Sequence, residues 1–228
     1  MFALLTPATA SPGAPIFLDA HLVRAFDPST YHPDEVVGYD PVYAPGPPHE
    51  GPLPPDLTLV SRDRNLTFDY HPARGGFIVS SSFLGVAESV GAEGFAHVPV
   101  AVVTPTGDAT TDKTYAYLQF EAPHACIDYE ASEYRVGSRM GPFREPTAEQ
   151  RRELAEGSGP TQVRTWKAVV LKPECSGHRL FGIARSIFAR FAFCDGRFEA
   201  AATDAGLSGF DTVAVHELAS VYARRTGR

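Results

Sequence analysis

A pattern of phenylalanine, glycine and valine residues occurs twice in this chain, and the intervals between its members are the same in both copies. The copies consist of Phe83, Gly91, Gly94, Phe95, Val98 and Val100, and of Phe198, Gly206, Gly209, Phe210, Val213 and Val215. An internal repeat constrains an architecture more than a single motif does. Because there are only two copies and they lie far apart, they indicate two related halves and not a solenoid.

Each copy has the residue pattern of a strand, a short helix, a tight turn and a second strand. The apolar runs Phe77–Ser80 and Phe191–Cys194 precede the two copies and are typical of buried strands. Phe83 and Ala87 then follow at helical spacing, which gives a helix one inward face. Gly91 stands where this helix would end, and glycine accepts the left-handed conformation required there. The alternating valines beyond it predict the second strand.

These two units predict an α+β fold, with mixed or antiparallel sheets, a few short helices and two pseudo-repeated strand-helix-strand halves packed together. We place the first half in residues 76–145 and the second in residues 160–228, because the Gly-Ser-Gly-Pro sequence at residues 157–160 is a typical boundary. In the connection between them, Thr147 and Gln150 predict a capping box at the start of a short polar helix. The whole chain is predicted to form one compact domain.

The first third of the chain, residues 1–75, is predicted to be a Pro-rich, loop-rich part with little regular structure that packs on the core. Seven prolines lie between positions 41 and 55, and they exclude a helix or a central strand there. A Pro-rich loop can also serve as a ligand for an aromatic groove, so an interaction module remains an alternative for this segment.

Composition narrows the class of protein. The chain has 228 residues, a net charge of −7 and a pI near 5.6, which argue against general nucleic-acid binding. The N-terminal apolar run, Phe2–Leu5, is too short for a signal peptide, and no later run is long enough to span a bilayer. Three cysteines are an odd number, so we expect no disulfide framework and a reducing compartment. The sequence thus predicts a cytoplasmic protein that binds neither membrane nor nucleic acid.

Two close pairs of histidine and cysteine are the strongest candidates for chemistry. The chain contains neither a Gly-x-Ser-x-Gly elbow, nor a phosphate-binding loop, nor a dinucleotide fingerprint. His124-x-Cys126 and Cys175-x-x-His178 lie at the ends of predicted strands, where they could meet, and zinc accepts two thiolates with two imidazoles. The competing interpretation is that Cys126 is a small core residue and that the histidines lie at the surface. We favour that second interpretation, and predict neither a metal nor a cofactor.

An acidic segment interleaved with tyrosine is the candidate partner-binding site. It contains Asp128, Tyr129, Glu130, Glu133 and Tyr134. Paired carboxylates such as Asp128 and Glu130 can act as general acid and base, although a solvated loop is the default for such a cluster. Aromatic side chains carry binding energy while charge steers encounter, so the five residues together suit a docking surface.

The order of several motifs resembles that of a known family. These motifs are Phe77–Ser80, Tyr115–Leu118, Ile127–Tyr134, Leu180–Ile183 and Gly206–Phe210. In this order they are similar to the immunity proteins of bacterial polymorphic toxin systems, and the likeness covers about residues 77–218. The resemblance implies a small cytoplasmic protein that binds a cognate protein toxin tightly and blocks its active site or substrate entry. The usual serine after the second apolar run is Cys194 here, a departure that concerns packing.

Two function classes therefore compete. The first is an immunity protein that neutralises a toxin by occlusion, with no catalytic residues of its own. The alternative is an enzyme that depends on zinc held by His124, Cys126, Cys175 and His178, or on the carboxylates of Asp128 and Glu130. Bound metal, or a deep cleft gathering the histidines and cysteines, would favour the enzyme.

Overall fold

The predicted α+β class is confirmed. The computed structural model describes residues 1–8, 13–16, 18–31, 53–55, 57–73, 75–137, 142–184 and 186–221. Within these ranges the strands are β1 (Phe2–Pro7), β2 (Ala20–Val23), β3 (Leu57–Ser61), β4 (Tyr70–Ala73), β5 (Gly76–Ser80), β6 (Phe95–Val103), β7 (Tyr115–Phe120), β8 (Glu133–Val136), β9 (Val163–Ala168), β10 (Leu180–Gly182), β11 (Ala192–Asp195) and β12 (Phe210–Ala214). The α-helices are α1 (Ser81–Ser89), α2 (Ala148–Glu156) and α3 (Gly196–Asp204), and short 3-10 turns cover Pro173–Gly177, Ile187–Arg190 and Val215–Glu217.

The strands form two large sheets and one small ribbon. The larger sheet has the order β2-β3-β6-β7-β5-β4, and only its β3–β6 pair is parallel. The second sheet has the order β10-β11-β1-β12 and is antiparallel throughout. The ribbon consists of β8 and β9, paired antiparallel with two register shifts. The sheets are thus mixed and antiparallel, as the sequence predicted.

Strand-helix-strand units lie at both predicted places and have the same local topology. In the first unit, β5 and β6 are joined through α1 but separated in the sheet by the antiparallel strand β7. In the second, β11 and β12 are joined through α3 and separated by the antiparallel strand β1. The helices meet through Phe83 and Phe198, whose ring centroids are 5.2 Å apart. That the halves are copies of one ancestral unit stays a prediction.

Alternation along the strands sorts the core into three layers. In β5, Phe77 and Val79 face a central cluster between the two sheets, which also contains both helices, while Ile78 faces a cluster on the other side of the larger sheet. In β1, Leu5 faces the central cluster and Leu4 faces a third cluster on the far side of the smaller sheet. The strands β5, β7 and β11 are therefore covered on both faces, which explains why they are almost continuously apolar. Elsewhere in the sheets the cover is incomplete, since His97 and Pro99 of β6 and Asp211 and Thr212 of β12 are exposed.

Helix ends follow the predicted local rules. Ser80 caps α1 by accepting a hydrogen bond from the Phe83 amide at 3.1 Å, and Gly91 adopts a positive φ of 71° just beyond the helix. The capping box of α2 is present, with the Thr147 hydroxyl accepting from the Gln150 amide and the Gln150 side chain accepting from the Thr147 amide. None of the helices in the described ranges is long and apolar enough to cross a membrane.

The prediction for residues 1–75 is wrong in its described part, because four strands lie there. β1 is a central strand of the smaller sheet, paired with β11 on one side and β12 on the other. The short run Phe2–Leu5 carries no local sign of this role, since its partners come from the other end of the chain. Most of the Pro-rich stretch, residues 41–52, lies outside the described residues, as does the basic C-terminal end.

Candidate binding surface

An outer layer covers the face of the smaller sheet that is remote from the central cluster. It is built from β8, α2, β9 and the 3-10 turn at Pro173–Gly177, and it encloses the third core cluster. Every candidate residue that the sequence singled out lies in or beside this layer. The two groups of candidates, the acidic segment and the histidine–cysteine pairs, are therefore parts of one surface region.

The tyrosines of the acidic segment are buried. Tyr134 is 1% exposed and Tyr129 is 7% exposed, and both pack against the indole ring of Trp166, at 5.3 Å and 6.1 Å between ring centroids. Burial raises the pKa of Tyr129 to about 12, because the phenolate would lose its hydration. In the structure these two side chains are core residues of the outer layer, and their part in partner binding stays a prediction.

The carboxylates of the segment differ in their surroundings. Asp128 is half-buried, and its Oδ1 accepts hydrogen bonds from the amides of Glu130 and Ala131, both at 3.0 Å. It therefore fixes the turn that leads into β8. The side chains of Glu130 and Glu133 are exposed to solvent. Of the five candidates, these two glutamates are the most exposed, and the role of all five residues in binding stays a prediction.

The outer face of the β8–β9 ribbon carries both signs of charge. The carboxylate of Glu145 lies 3.5 Å from Arg135 of β8 and 3.4 Å from Lys167 of β9. All three side chains are about half exposed, so these ion pairs add little to stability and can be exchanged for pairs with another molecule. The face beside Glu133 is consequently polar and hydrated.

A cleft at one end of the ribbon was not predicted. Its volume is about 400 Å³, and its described walls are Val136, Gly137, Pro142, Arg144, Gln150, Pro160, Thr161 and Gln162. Two of the walls meet because Val136 and Arg144 exchange two backbone hydrogen bonds of 2.9 Å. Phe143, beside the cleft, is 38% exposed. The sequence could show only the Gln150 cap, since the other walls come from separate segments.

The two histidine–cysteine pairs do meet, but the cysteines form a disulfide. Cys126 and Cys175 are joined, with their Cα atoms 6.0 Å apart, and Cys194 is a buried free cysteine. The expectation that the chain forms no disulfide is therefore wrong. An odd number of cysteines is compatible with one disulfide and one free cysteine, which here is the buried Cys194. The number of cysteines alone could not show which two approach each other. The rings of His124 and His178 stack at 3.9 Å between centroids.

The disulfide removes two of the four zinc ligands on which the enzyme alternative depends. With both sulfur atoms in a covalent bond, Cys126 and Cys175 are not thiolate ligands in this form. In this structure, which has the disulfide in place, no group of three or more histidine, cysteine, aspartate or glutamate residues in the described ranges is arranged to hold a metal ion. The Asp128 carboxylate holds a turn, and Glu130 stands in solvent outside any enclosed cleft.

Comparison with known families places this fold among the immunity proteins. A family model described as Immunity protein 43 matches residues 7–226, nearly the whole chain. The chain belongs to the Immunity protein 43 family. This confirms the family resemblance drawn from the motifs, and it implies a toxin as partner. A comparison with curated proteins finds no significant match.

Proposed function

We propose that this chain binds one cognate protein toxin of a bacterial polymorphic toxin system and neutralises it by covering the toxin's active site or substrate entry. It acts in the cytoplasm of the bacterium that makes it. The observation that carries this proposal is the family match over nearly the full length of the chain. An inhibitor of this kind needs a complementary surface and no bond-making residues of its own.

The outer layer supplies such a surface. Glu130 and Glu133 present exposed carboxylates, and the net charge of −7 favours encounter with a basic toxin surface. The cleft lined by Arg144 and Pro142 offers a recess for one partner side chain, since interface anchors fill pockets. Its position next to the exposed Phe143 joins charged and apolar contacts in one patch.

The function is tested by co-expression with the toxin candidate encoded by the neighbouring gene. We expect cells to survive when both proteins are produced, and the purified pair to form a stable complex in which the toxin is inactive. If the complex forms but the toxin retains its activity, occlusion is refuted; if no complex forms, toxin binding is refuted for that pair.

The role of the acidic residues is tested separately. In the double variant Glu130→Gln with Glu133→Gln, we expect the association rate with that toxin to fall by about tenfold at low salt, because charge steering is lost. The exposed residues Glu88 and Glu93 of the first half provide a control with the same change in net charge. Equal rates for the two double variants in stopped-flow measurements would show that Glu130 and Glu133 are not part of the interface.

A further inference from the structure

Two separate backbone segments bring four potential metal ligands to one corner of the outer layer. His124 lies in an extended segment whose amide and carbonyl bond to Gly182 and Ala184 at 2.9 Å each. Two residues on, the Cys126 carbonyl accepts from the Lys172 amide at 2.8 Å, which leads directly into the turn that carries Cys175. The corner is thus fixed by backbone hydrogen bonds on both sides, independently of the disulfide.

The spacing within each pair directs both of its side chains to the same side. Along an extended segment, residues i and i+2 share a face, which places His124 beside Cys126. In a 3-10 turn, residues i and i+3 eclipse each other, which places His178 beside Cys175 at the end of the turn Pro173–Gly177. The disulfide joins the two cysteines and the stacked rings join the two histidines, so the two pairs lie side by side.

Ring contacts bring the two histidines together, and rotation of the side chains would have to separate the stacked rings for both to bind one tetrahedral ion. The imidazoles of His124 and His178 lie 3.9 Å apart and both contact the ring of Phe181, at 6.2 Å and 5.7 Å between centroids. Phe181 belongs to the same buried cluster as Cys126 and Cys175.

We propose that reduction of the Cys126–Cys175 disulfide creates a zinc site formed by His124, Cys126, Cys175 and His178. Two thiolates and two imidazoles are a closed tetrahedral ligand set for a structural zinc ion. With zinc–sulfur bonds of about 2.3 Å, the two sulfur atoms stand on the order of 4 Å apart, which cysteines with Cα atoms separated by 6.0 Å can reach by rotating their side chains.

Conversion of the disulfide form into the zinc-bound form takes two steps, a reduction and a metal-binding step. Two molecules of a thiol reductant are oxidised to one disulfide, and their two hydrogens pass to Cys126 and Cys175 as the protein S–S bond breaks. Binding of Zn²⁺ then displaces the two thiol protons and forms two zinc–sulfur and two zinc–nitrogen bonds. Cys126 is 0% and Cys175 3% exposed, so a reductant reaches the disulfide only when the turn at Pro173–Gly177 opens, and the exposed Glu174 and Ser176 make this turn the accessible side. Oxidised and zinc-bound forms tie the same two segments together by different bonds.

The test uses the purified full chain and Co²⁺ as a spectroscopic substitute for zinc. After reduction and removal of the reductant under anaerobic conditions, we expect one equivalent of Co²⁺ to give a thiolate charge-transfer band and the strong visible bands of a tetrahedral site. The oxidised protein should give neither. His124→Ala and His178→Ala should each weaken Co²⁺ binding by at least about tenfold, whereas the exposed His97→Ala and the buried Cys194→Ser should leave it unchanged.

A second measurement covers the case in which a variant folds poorly. In the reduced wild-type chain, one equivalent of Zn²⁺ should protect two thiols from a thiol-specific reagent, while Mg²⁺ should protect none. Absence of the tetrahedral bands from the reduced, folded protein, or unchanged affinity in both histidine variants, would overturn the site. None of these measurements needs a toxin, so their outcome is independent of the proposed function.

Discussion

Asp69 is a buried carboxylate that joins three segments distant in the sequence. It is 3% exposed and accepts hydrogen bonds from the Ser80 hydroxyl and the Lys113 ammonium at 2.6 Å each, and from the Ser208 amide at 2.7 Å. Burial by itself would raise the pKa of Asp69, but the hydrogen bonds from Lys113, Ser80 and Ser208 outweigh it, and the pKa lies below its ordinary value. Because Ser80 also caps α1, Asp69 orients that cap.

The substitution Asp69→Asn should lower the free energy of unfolding by about 2 kcal/mol at pH 7, since the amide cannot accept all of these hydrogen bonds and leaves Lys113 without its charge partner. A carboxylate with a lowered pKa stabilises the fold above its unfolded pKa and loses that contribution as pH falls through its folded pKa. The difference between wild type and variant should therefore be constant above about pH 5 and shrink at lower pH.

Denaturant unfolding from pH 2 to 7 measures this difference. The substitution Asp204→Asn, at an exposed position of α3, provides the control and should change stability by less than about 0.5 kcal/mol. A difference between wild type and Asp69→Asn that grows toward acid pH would contradict the assignment.

At the scale of elements, α2 is held on the molecule by Leu154, which packs against the third core cluster, and by contacts of Arg151. No residue of this helix is fully buried. Arg151 donates a hydrogen bond of 2.6 Å to the Tyr129 carbonyl, and its guanidinium carbon lies 5.2 Å from the centroid of the Tyr134 ring. The neighbouring Arg152 is exposed on the same helix. The two arginines therefore form a matched pair, alike in charge and helix propensity but different in contacts.

The substitution Arg151→Ala should lower the free energy of unfolding by roughly 1–2 kcal/mol, the sum of a charged hydrogen bond and a cation–π contact. Arg152→Ala should change it by less than about 0.5 kcal/mol. Chemical denaturation can be monitored by the fluorescence of Trp166. This residue reports on the region because its ring contacts Tyr129 and Tyr134, which are the partners of Arg151. Similar values for both variants would mean that α2 does not depend on Arg151.

The disulfide is the second tie of the outer layer. It closes a loop with a sequence separation of 49 that contains β8, α2 and β9. A cross-link over a loop of this length stabilises a fold by about 4 kcal/mol in the chain-entropy model. In the absence of metal, reduction should lower the free energy of unfolding by roughly 2–4 kcal/mol. Cys194→Ser with the disulfide intact serves as the control for thiol chemistry elsewhere, and an unchanged denaturation midpoint after complete reduction would contradict this role.

At the scale of the whole molecule, local features were predictable and long-range ones were not. Gly91, Gly206 and the Thr147–Gln150 capping box depend on neighbours within a few residues, so the sequence predicted them correctly. The α+β class followed from the periodicity of the repeated units. The central place of β1 depends on pairing with β11 and β12, about which the run Phe2–Leu5 carries no information.

The candidate site, too, has features that the sequence could predict and features that it could not. The sequence identified the segment Asp128–Tyr134 but could not show that strand alternation turns Tyr134 inward, because that requires knowing which face of β8 packs on the smaller sheet. It grouped the histidines and cysteines as four residues that could meet, and they do. The disulfide between Cys126 and Cys175 follows from an approach of two segments that no local pattern specifies.

The position of β1 also determines when this protein can complete its fold during synthesis. Of the described strands, β1 is synthesised first, whereas the strands on both sides of it, β11 and β12, are synthesised last. Pairings between such distant segments form slowly, and until then the apolar side chains of Leu4 and Leu5 lack their final neighbours. An immunity protein with this topology therefore completes its smaller sheet only after the segments of β11 and β12 have been synthesised.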